Sequence, residues 1–540
     1  MGARLKGLWG VYRWREGSGR PLRAGLLSAA SGGLLALAFP TYDVGWLAFI
    51  ALSPLLLGIR GESPTRAFCW GNLAGVVFYL GSIAWVTNTM TAYGGLSAPV
   101  SALVLLALAS YLALYVGLFC FGASLISGVA WPLDLLAPAA LWVGLEYLRT
   151  YALTGFPWAL LGYTQYRNPS LLPVAAVTGV YGLSFLVILV NIALAQLVAR
   201  STGSLGAALL AGAVTAALVW SPRLLSPTPV PGDLGGEIEV ALVQGNIDQA
   251  LKWNPTMQAA TIDLYRRLSL EAAARSPALI VWPETAAPFF LRYEPALRGR
   301  VMDIAAETGS YLLVGSPDVE PTSAGGGERY SNSAFLISPE RGLLGKYDKI
   351  HMVPFGEYVP LKSVLFFVHK LAHGIGDFEG GRTYTIFQLP AGRFGATICY
   401  EVIFPDQVRR YVKEGADFLV NITNDAWFGR SAAPAQHLAM AAVRAAENHR
   451  YLIRAANTGI SAIIDPEGRI LQASDIFVPA VVSGRIRPQR GETFYTRHGD
   501  LFAWLCIGLV IAIVFAERGR ALARSGGLRL LLRRGGHDDR

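Results

Sequence analysis

Cys399 stands apart from the other three cysteines. Cys69, Cys120 and Cys506 lie in apolar stretches, whereas Cys399 follows the run Phe394-Gly-Ala-Thr-Ile398 and precedes Tyr400-Glu401. A run of that composition reads as a strand. A thiol just past its end faces a pocket, where the next backbone N–H can stabilise an oxyanion. Such a thiol can carry an acyl group; the competing reading is a buried structural cysteine, since cysteine is among the residue types most often found inside. Glu284 ends a second apolar run, Val281-Trp-Pro-Glu284-Thr, where no helix face is available to solvate it. It is a candidate acid or base, or an ordinary loop carboxylate. Lys349 lies in Lys346-Tyr-Asp-Lys349-Ile-His-Met-Val-Pro-Phe-Gly-Glu357-Tyr-Val-Pro, a segment too rich in Gly, Pro and aromatics for a helix. Alone, it would be a solvated surface charge.

Strands and helices alternate around these three positions. β-rich runs at Ile238–Val243, Ala278–Trp282, Tyr311–Val314, Ser333–Ile337, Gly395–Cys399, Phe418–Ile422, Tyr451–Ala455 and Ser461–Ile464 are interrupted by helical patterns at Thr256–Arg275, Leu297–Thr308 and Ala435–His449. That order predicts a layered α/β domain over about 222–498, opened by a Pro-rich linker (Ser221-Pro222, then Ser226-Pro-Thr-Pro-Val-Pro231).

The rest of the chain is of a different kind. Of 540 residues, 53% are hydrophobic and only 15% charged, against roughly 25% charged in an ordinary soluble domain. Apolar segments at 24–40, 44–59, 68–86, 99–128, 133–148, 172–198, 205–220 and 500–516 predict an α-helical membrane bundle of about eight transmembrane helices, since a span needs roughly 20 residues. The formal charge of +9 excludes little by itself, but its placement is informative. Arg4, Lys6, Arg13, Arg15, Arg20 and Arg23 precede the first span, Arg60, Arg66 and Arg200 fall in alternate loops, and seven arginines from Arg518 to Arg540 follow the last. This is the positive-inside pattern of a membrane protein and not a nucleic-acid footprint. It predicts a cytoplasmic basic tail at 1–23, a membrane domain of seven helices at 24–221, the α/β domain at 222–498 outside the cytoplasm, a last helix at 499–516 and a cytoplasmic tail at 517–540.

The motifs, taken together, carry a resemblance. Trp-Pro-Glu-Thr at 282–285, His-Met-Val-Pro-Phe-Gly-Glu-Tyr-Val-Pro at 351–360, Ile-Cys-Tyr-Glu at 398–401 and Asn-Asp-Ala-Trp-Phe-Gly at 424–429, in this order, resemble the nitrilase (carbon-nitrogen hydrolase) superfamily. With the flanking spans, and with Thr154-Gly-Phe-Pro-Trp158 and Gly162-Tyr-Thr-Gln165, nearly the whole chain is similar to the apolipoprotein N-acyltransferase family, the membrane-embedded branch of that superfamily. The resemblance implies an αββα sandwich and a Glu-Lys-Cys triad of Glu284, Lys349 and Cys399. The lysine cation would lower the thiol pKa from near 8.5 and hold the oxyanion, while the carboxylate takes the proton. It further implies a phospholipid acyl donor such as phosphatidylethanolamine, a diacylglyceryl-cysteine apolipoprotein as acceptor, and a bacterial inner membrane with the catalytic domain in the periplasm.

Glu357 and Glu401 match two further carboxylates, expected to orient the lysine or the acceptor amine. Tyr400 lends its backbone N–H, and Trp253 matches a tryptophan on a substrate-facing loop, although Asp248 stands where that loop's pattern has a proline. The apolar run Leu361–Val368 is expected to dip into the outer leaflet as a lid. No cofactor is implied. No metal is expected, since the chain has no His-Glu-x-x-His or Cys-x-x-Cys spacing, and none of its histidines lies in a protease partner motif. Two other readings compete: a membrane-anchored nitrilase-type amidase, and a transporter, which would need charges within its spans.

Overall fold

The structure is a computed structural model that describes residues 21–126, 129–201, 203–225, 236–321, 327–354, 356–358 and 378–534. The tail before residue 21 and the lid segment 361–368 therefore lie outside the described residues. The N-terminal helices are α1 (Pro21–Ala38), α2 (Pro64–Ser82), α3 (Ala98–Ile126), α4 (Leu133–Tyr151), α5 (Val180–Val198) and α6 (Ser204–Leu225). A short helix, Val86–Ala92, continues α2 at a bend of 55°.

About eight spans are not what the described residues give. Among them, five helices are long and apolar enough to cross a membrane (α1, α3, α5, α6 and the C-terminal helix over Leu501–Arg520), or up to six if α2 and its bent continuation count as one span. The difference has particular causes. The 44–59 run breaks into pieces of three, four and six residues, while α4 carries Asp134, Glu146, Arg149 and an internal Pro138. Helix α6 runs through Pro222 to Leu225, past the start of the Pro-rich linker.

Close packing joins the bundle. A Cβ on Gly71 would fall 2.6 Å from Cys120 Sγ, and one on Gly75 would fall 2.8 Å from Ala113 Cβ. Small residues thus let α2 and α3 approach as apolar helices do in lipid, where packing replaces the hydrophobic drive. Asn191 of α5 is a polar tie: it accepts from Leu52 N (2.8 Å) and Ser53 N (3.0 Å) and donates to Ala48 O (2.8 Å). Asn191→Leu leaves the donors of that helix junction without their acceptor, a loss of about 2 kcal/mol. We expect a melting temperature in detergent several degrees lower; an unchanged value would show the junction to be held by packing alone.

The α/β region comprises β1 (Ile238–Gln244), α7 (Gln258–Ala273), β2 (Leu279–Val281), α8 (Pro295–Thr308), β3 (Tyr311–Pro321), β4 (Glu328–Ser338), β5 (Gly342–Asp348), β6 (Ile386–Leu389), β7 (Gly392–Ile398), α9 (Pro405–Lys413), β8 (Phe418–Thr423), α10 (Ala433–Asn448), β9 (Leu452–Ala456), β10 (Ala462–Ile464), β11 (Ile470–Ala473) and β12 (Ala480–Ile486), followed by α11 (Leu501–Arg534). Two six-stranded sheets form, ordered β12-β1-β2-β3-β4-β5 and β11-β10-β9-β8-β7-β6. At the centre of each, three strands run parallel, β1-β2-β3 and β7-β8-β9.

Strand periodicity explains the layers. In β1, Ala241 and Val243 join a core with Ile262 and Tyr265 of α7 and Val301 and Ile304 of α8. Their neighbours Val240 and Leu242 face the second sheet and share a core with Val420, Ile453 and Ile463. Helices α9 and α10 cover the other side of that second sheet. The result is the αββα sandwich the resemblance implies.

The sandwich is docked on the bundle through α10. Gln436 accepts from Trp158 Nε1 (2.6 Å) and donates to Pro40 O (2.8 Å) and Ser82 O (2.9 Å). Arg149 and Glu146, two of the three charges of α4, serve this joint: Arg149 donates to Trp158 O (2.8 Å) and Glu146 accepts from Leu161 N (2.7 Å). They hold the loop that meets the sandwich, an arrangement that gives the transporter reading no support.

Candidate active site

The chemistry collects where strands end. Lys349 follows β5, Cys399 follows β7, and Glu284 lies three residues past β2. Cys399 takes φ of 53° and Thr285, next to Glu284, takes 46°. Side chains rarely adopt that backbone region, and such strain gathers at functional sites.

Glu401 holds the Cys399 turn in place. Its Oε2 accepts from Ile398 N (2.7 Å), and its Oε1 accepts from Tyr347 OH (2.7 Å), Ile350 N (2.6 Å), His351 N (3.0 Å) and Gln407 Nε2 (2.7 Å). One fully buried carboxylate thus ties the end of β7 to the residues that follow Lys349. Burial pushes its pKa up, against those donors. Glu401 therefore positions Cys399 and Lys349 through the backbone and has no hydrogen bond to the lysine itself.

Glu357 does reach the lysine. Lys349 Nζ, 1% exposed, lies 2.9 Å from Glu357 Oε1 and 3.6 Å from Glu284 Oε1. Asn332 of β4 spans the same two carboxylates, donating to Glu284 Oε1 (2.7 Å) and Glu357 Oε1 (3.1 Å), and Asn424 N donates to Glu284 Oε2 (2.9 Å). Burial works against the Lys349 charge, but Glu357, Glu284 and Cys399 outweigh it and hold its pKa above the ordinary lysine value. Lys349 is a permanent cation.

The thiol departs from the expected electrostatics. Burial first, then the Glu284 charge, push the Cys399 pKa up, and Lys349 opposes them without prevailing. The lysine's field is already engaged by two carboxylates. Burial and the Glu284 charge thus favour the protonated thiol, and a nucleophilic role for it would require a neighbouring base to take the proton.

Beneath the thiol, Arg454 bonds Asp425 Oδ2 (2.6 Å) and Asn421, while Asn421 Nδ2 donates to Cys399 O (3.4 Å). His437, buried against Asp425 (3.1 Å) and Arg454 (3.0 Å), bears on the Cys399 main chain, and burial lowers its pKa. It braces the turn.

Three residues of the site are not singled out by the sequence. Asn332 and Asn424 are amides with no charge pattern to flag them, although Asn424 opens the 424–429 motif. Lys252 sits beside the predicted Trp253. Trp253 is half-buried in the turn after β1, whereas the Lys252 side chain is buried and Nζ donates to Glu284 O (3.0 Å). Burial brings its pKa down to about 8, against the pull of Glu284 and Cys399.

Gly315 of β3 lies directly under Glu284. An added Cβ would collide with Pro283 O and fall 2.6 Å from Thr285 N and 2.8 Å from Glu284 Cα. Gly315→Ala must therefore push the carboxylate off its place. A displacement near 1 Å costs on the order of 100-fold in rate, which we expect in acyl uptake measured on folded variant. An unaltered rate would mean that the Glu284 position tolerates that shift.

The sandwich with its thiol turn belongs to the carbon-nitrogen hydrolase class, and residues 239–494 match that family. Residues 31–193 match the apolipoprotein N-acyltransferase N-terminal domain, so the two halves point to one membrane-bound branch. Apolipoprotein N-acyltransferase of Geobacter metallireducens is 45% identical over 518 residues, covering 93% of this chain and 97% of that one. The proteins of that name from Azotobacter vinelandii (37% identical, 93% and 96% covered) and Allorhizobium ampelinum (34%, 93% and 97%) extend over the same length. An amidase from Nesterenkonia sp. aligns in structure with a TM-score of 0.35 at 19% identity, over 49% of this chain and 94% of that one. This chain belongs to the apolipoprotein N-acyltransferase family.

Proposed function

We propose that this chain transfers an acyl chain from a phospholipid, phosphatidylethanolamine being the expected donor, to the α-amine of an S-diacylglyceryl-cysteine at a lipoprotein N-terminus, through a thioester on Cys399. One observation carries the reading most. Tyr400, the residue after the thiol, donates its hydroxyl to Gly155 O (3.2 Å) of the helical region, so the nucleophile's turn touches the membrane bundle. A soluble amide needs no such seam; a donor lying in a bilayer does.

Glu284 takes the thiol proton as Sγ attacks the ester carbonyl. Lys349 Nζ and the Tyr400 N–H face the oxyanion. The tetrahedral adduct then expels the lysophospholipid alkoxide, which receives that proton from Glu284. In the second half the α-amine attacks the thioester, Glu284 takes a proton from the nitrogen, and the thiol re-forms. Glu357 keeps the lysine in place, Glu401 fixes the turn, and Trp253 lies on a loop close enough to meet substrate.

We infer an inner-membrane protein with residues 24–221 and 499–516 in the bilayer, 222–498 in the periplasm, and both basic tails, 1–23 and 517–540, cytoplasmic. Parity supports it. If the bent α2 counts as a span, five spans precede the α/β domain and one follows, which carries a cytoplasmic N-terminus to a periplasmic domain and back.

The test is intact mass spectrometry of the purified protein incubated with phosphatidylethanolamine and then with a diacylglyceryl-cysteine peptide. The expected result is a mass gain of one acyl chain that the peptide discharges as an amide. If water discharges the adduct as readily as the peptide does, the membrane-anchored amidase takes the place of this reading.

A further inference from the structure

Two buried lysines approach Glu284 from different sides, in unlike surroundings. Lys349 meets the carboxylate and has Glu357 as a second anion. Lys252, only 2% exposed, meets the main-chain oxygen at 3.0 Å and has no carboxylate partner among the described residues. The titratable groups that bear on it are Glu284, after β2, and Cys399, after β7. A buried ammonium with one neutral acceptor gives up its proton readily, while one between two carboxylates keeps it. The surroundings thus divide two like groups into a fixed cation and a group able to exchange its proton.

The acyl-transfer reading, on which this inference rests, leaves a proton without a destination. A lipoprotein α-amine has an ordinary pKa of about 8 and arrives at pH 7 as an ammonium, so amide formation releases two protons from one nitrogen. Glu284 can shuttle only one of them, to the departing sulfur.

We propose that Lys252 is the base that accepts the first proton of the incoming α-ammonium, acting from its neutral form. The step balances: the acceptor N–H proton moves to Lys252 Nζ, the freed nitrogen forms the bond to the thioester carbonyl, and the C–S bond breaks. Glu284 moves the second proton from nitrogen to sulfur, and Lys252 later returns the first to water. Burial brings Lys252 to about 8, beside the acceptor's own value, where proton exchange between them is near balance. Two ammonium groups also repel in a buried site, so docking of the acceptor itself drives one proton off the pair.

The experiment separates the half-reactions. Acyl-enzyme is formed on full-length protein in detergent with phosphatidylethanolamine, and its discharge by the diacylglyceryl-cysteine peptide is followed from pH 6 to 9.5 for wild type, Lys252→Met and Lys252→Arg. Discharge by the Met variant should fall up to about tenfold further than acylation at pH 7, where about a tenth of the acceptor is already neutral, and the gap should close toward pH 9, where solvent deprotonates the acceptor. Arg holds a charge but accepts no proton, so it should be impaired like Met. Recovery at high pH is what a merely structural defect would not give. A proficient Arg variant, or equal losses in both halves at every pH, overturns the proposal while leaving the acyltransferase reading in place. Absence of any wild-type thioester overturns both.

Discussion

Cys399→Ala is expected to take up no acyl chain and transfer none, while unfolding at nearly the temperature of the wild type. The three other cysteines belong to helices of the bundle, Cys69 in α2, Cys120 in α3 and Cys506 in α11, and none can stand in. Removing the nucleophile of a covalent mechanism costs on the order of 10⁶ in rate. Stability is another matter, because the ties of the turn run through Glu401, Asn421 and the main chain. The variant loses one sulfur atom and keeps every carboxylate and amide around Lys349. Cys399→Ser refines the test: with the thiol already held up by burial and Glu284, an alcohol in the same place is harder still to deprotonate. Intact mass after incubation with phosphatidylethanolamine decides it. An acyl adduct on the alanine variant would place the nucleophile elsewhere and sink the mechanism.

What the chain disclosed in advance follows the range of the forces involved. Cys399 and Glu284 were legible as the ends of apolar runs, which depend on neighbouring residues, whereas Lys349 was legible only through the motif around it. The runs at 418–422 and 451–455 were visible as apolar sequence, and they pair in parallel as β8 and β9. Strands β5, β6, β11 and β12 went unread because they are short or lie at or near the sheet edges, where polar residues such as Lys346 and Gln472 interrupt the apolar period. The sign of the Cys399 shift could not be read either. Composition reveals a nearby lysine but not that two carboxylates already engage it. Lys252 was invisible for the same reason: a lysine on a polar loop is solvated by default, and only the fold brings its amine under the Glu284 carbonyl. The count of about eight spans is not confirmed where charge and proline intervene: α4 falls short by composition, and its Glu146 and Arg149 turn inward to hold the docking loop.

Lys349→Met is expected to cost both stability and chemistry, and the two losses can be separated. Without the ammonium, Glu284 and Glu357 remain buried, joined only through Asn332. Breaking a buried ion pair by deleting one partner costs about 3–5 kcal/mol, and two neighbouring carboxylates relieve their repulsion by one of them taking a proton. A protonated Glu284 cannot serve as base, and the oxyanion loses its cation, worth on the order of 10²–10³ alone. Acyl uptake should therefore fall by at least about 10³. Adding Glu357→Gln removes the second negative charge while retaining a group able to bond Asn332. The double variant should regain most of the lost melting temperature and almost none of the acyl uptake. Should uptake return to within tenfold of wild type, the lysine merely neutralises its neighbours, and the oxyanion is held by the Tyr400 N–H and the protein dipoles without it.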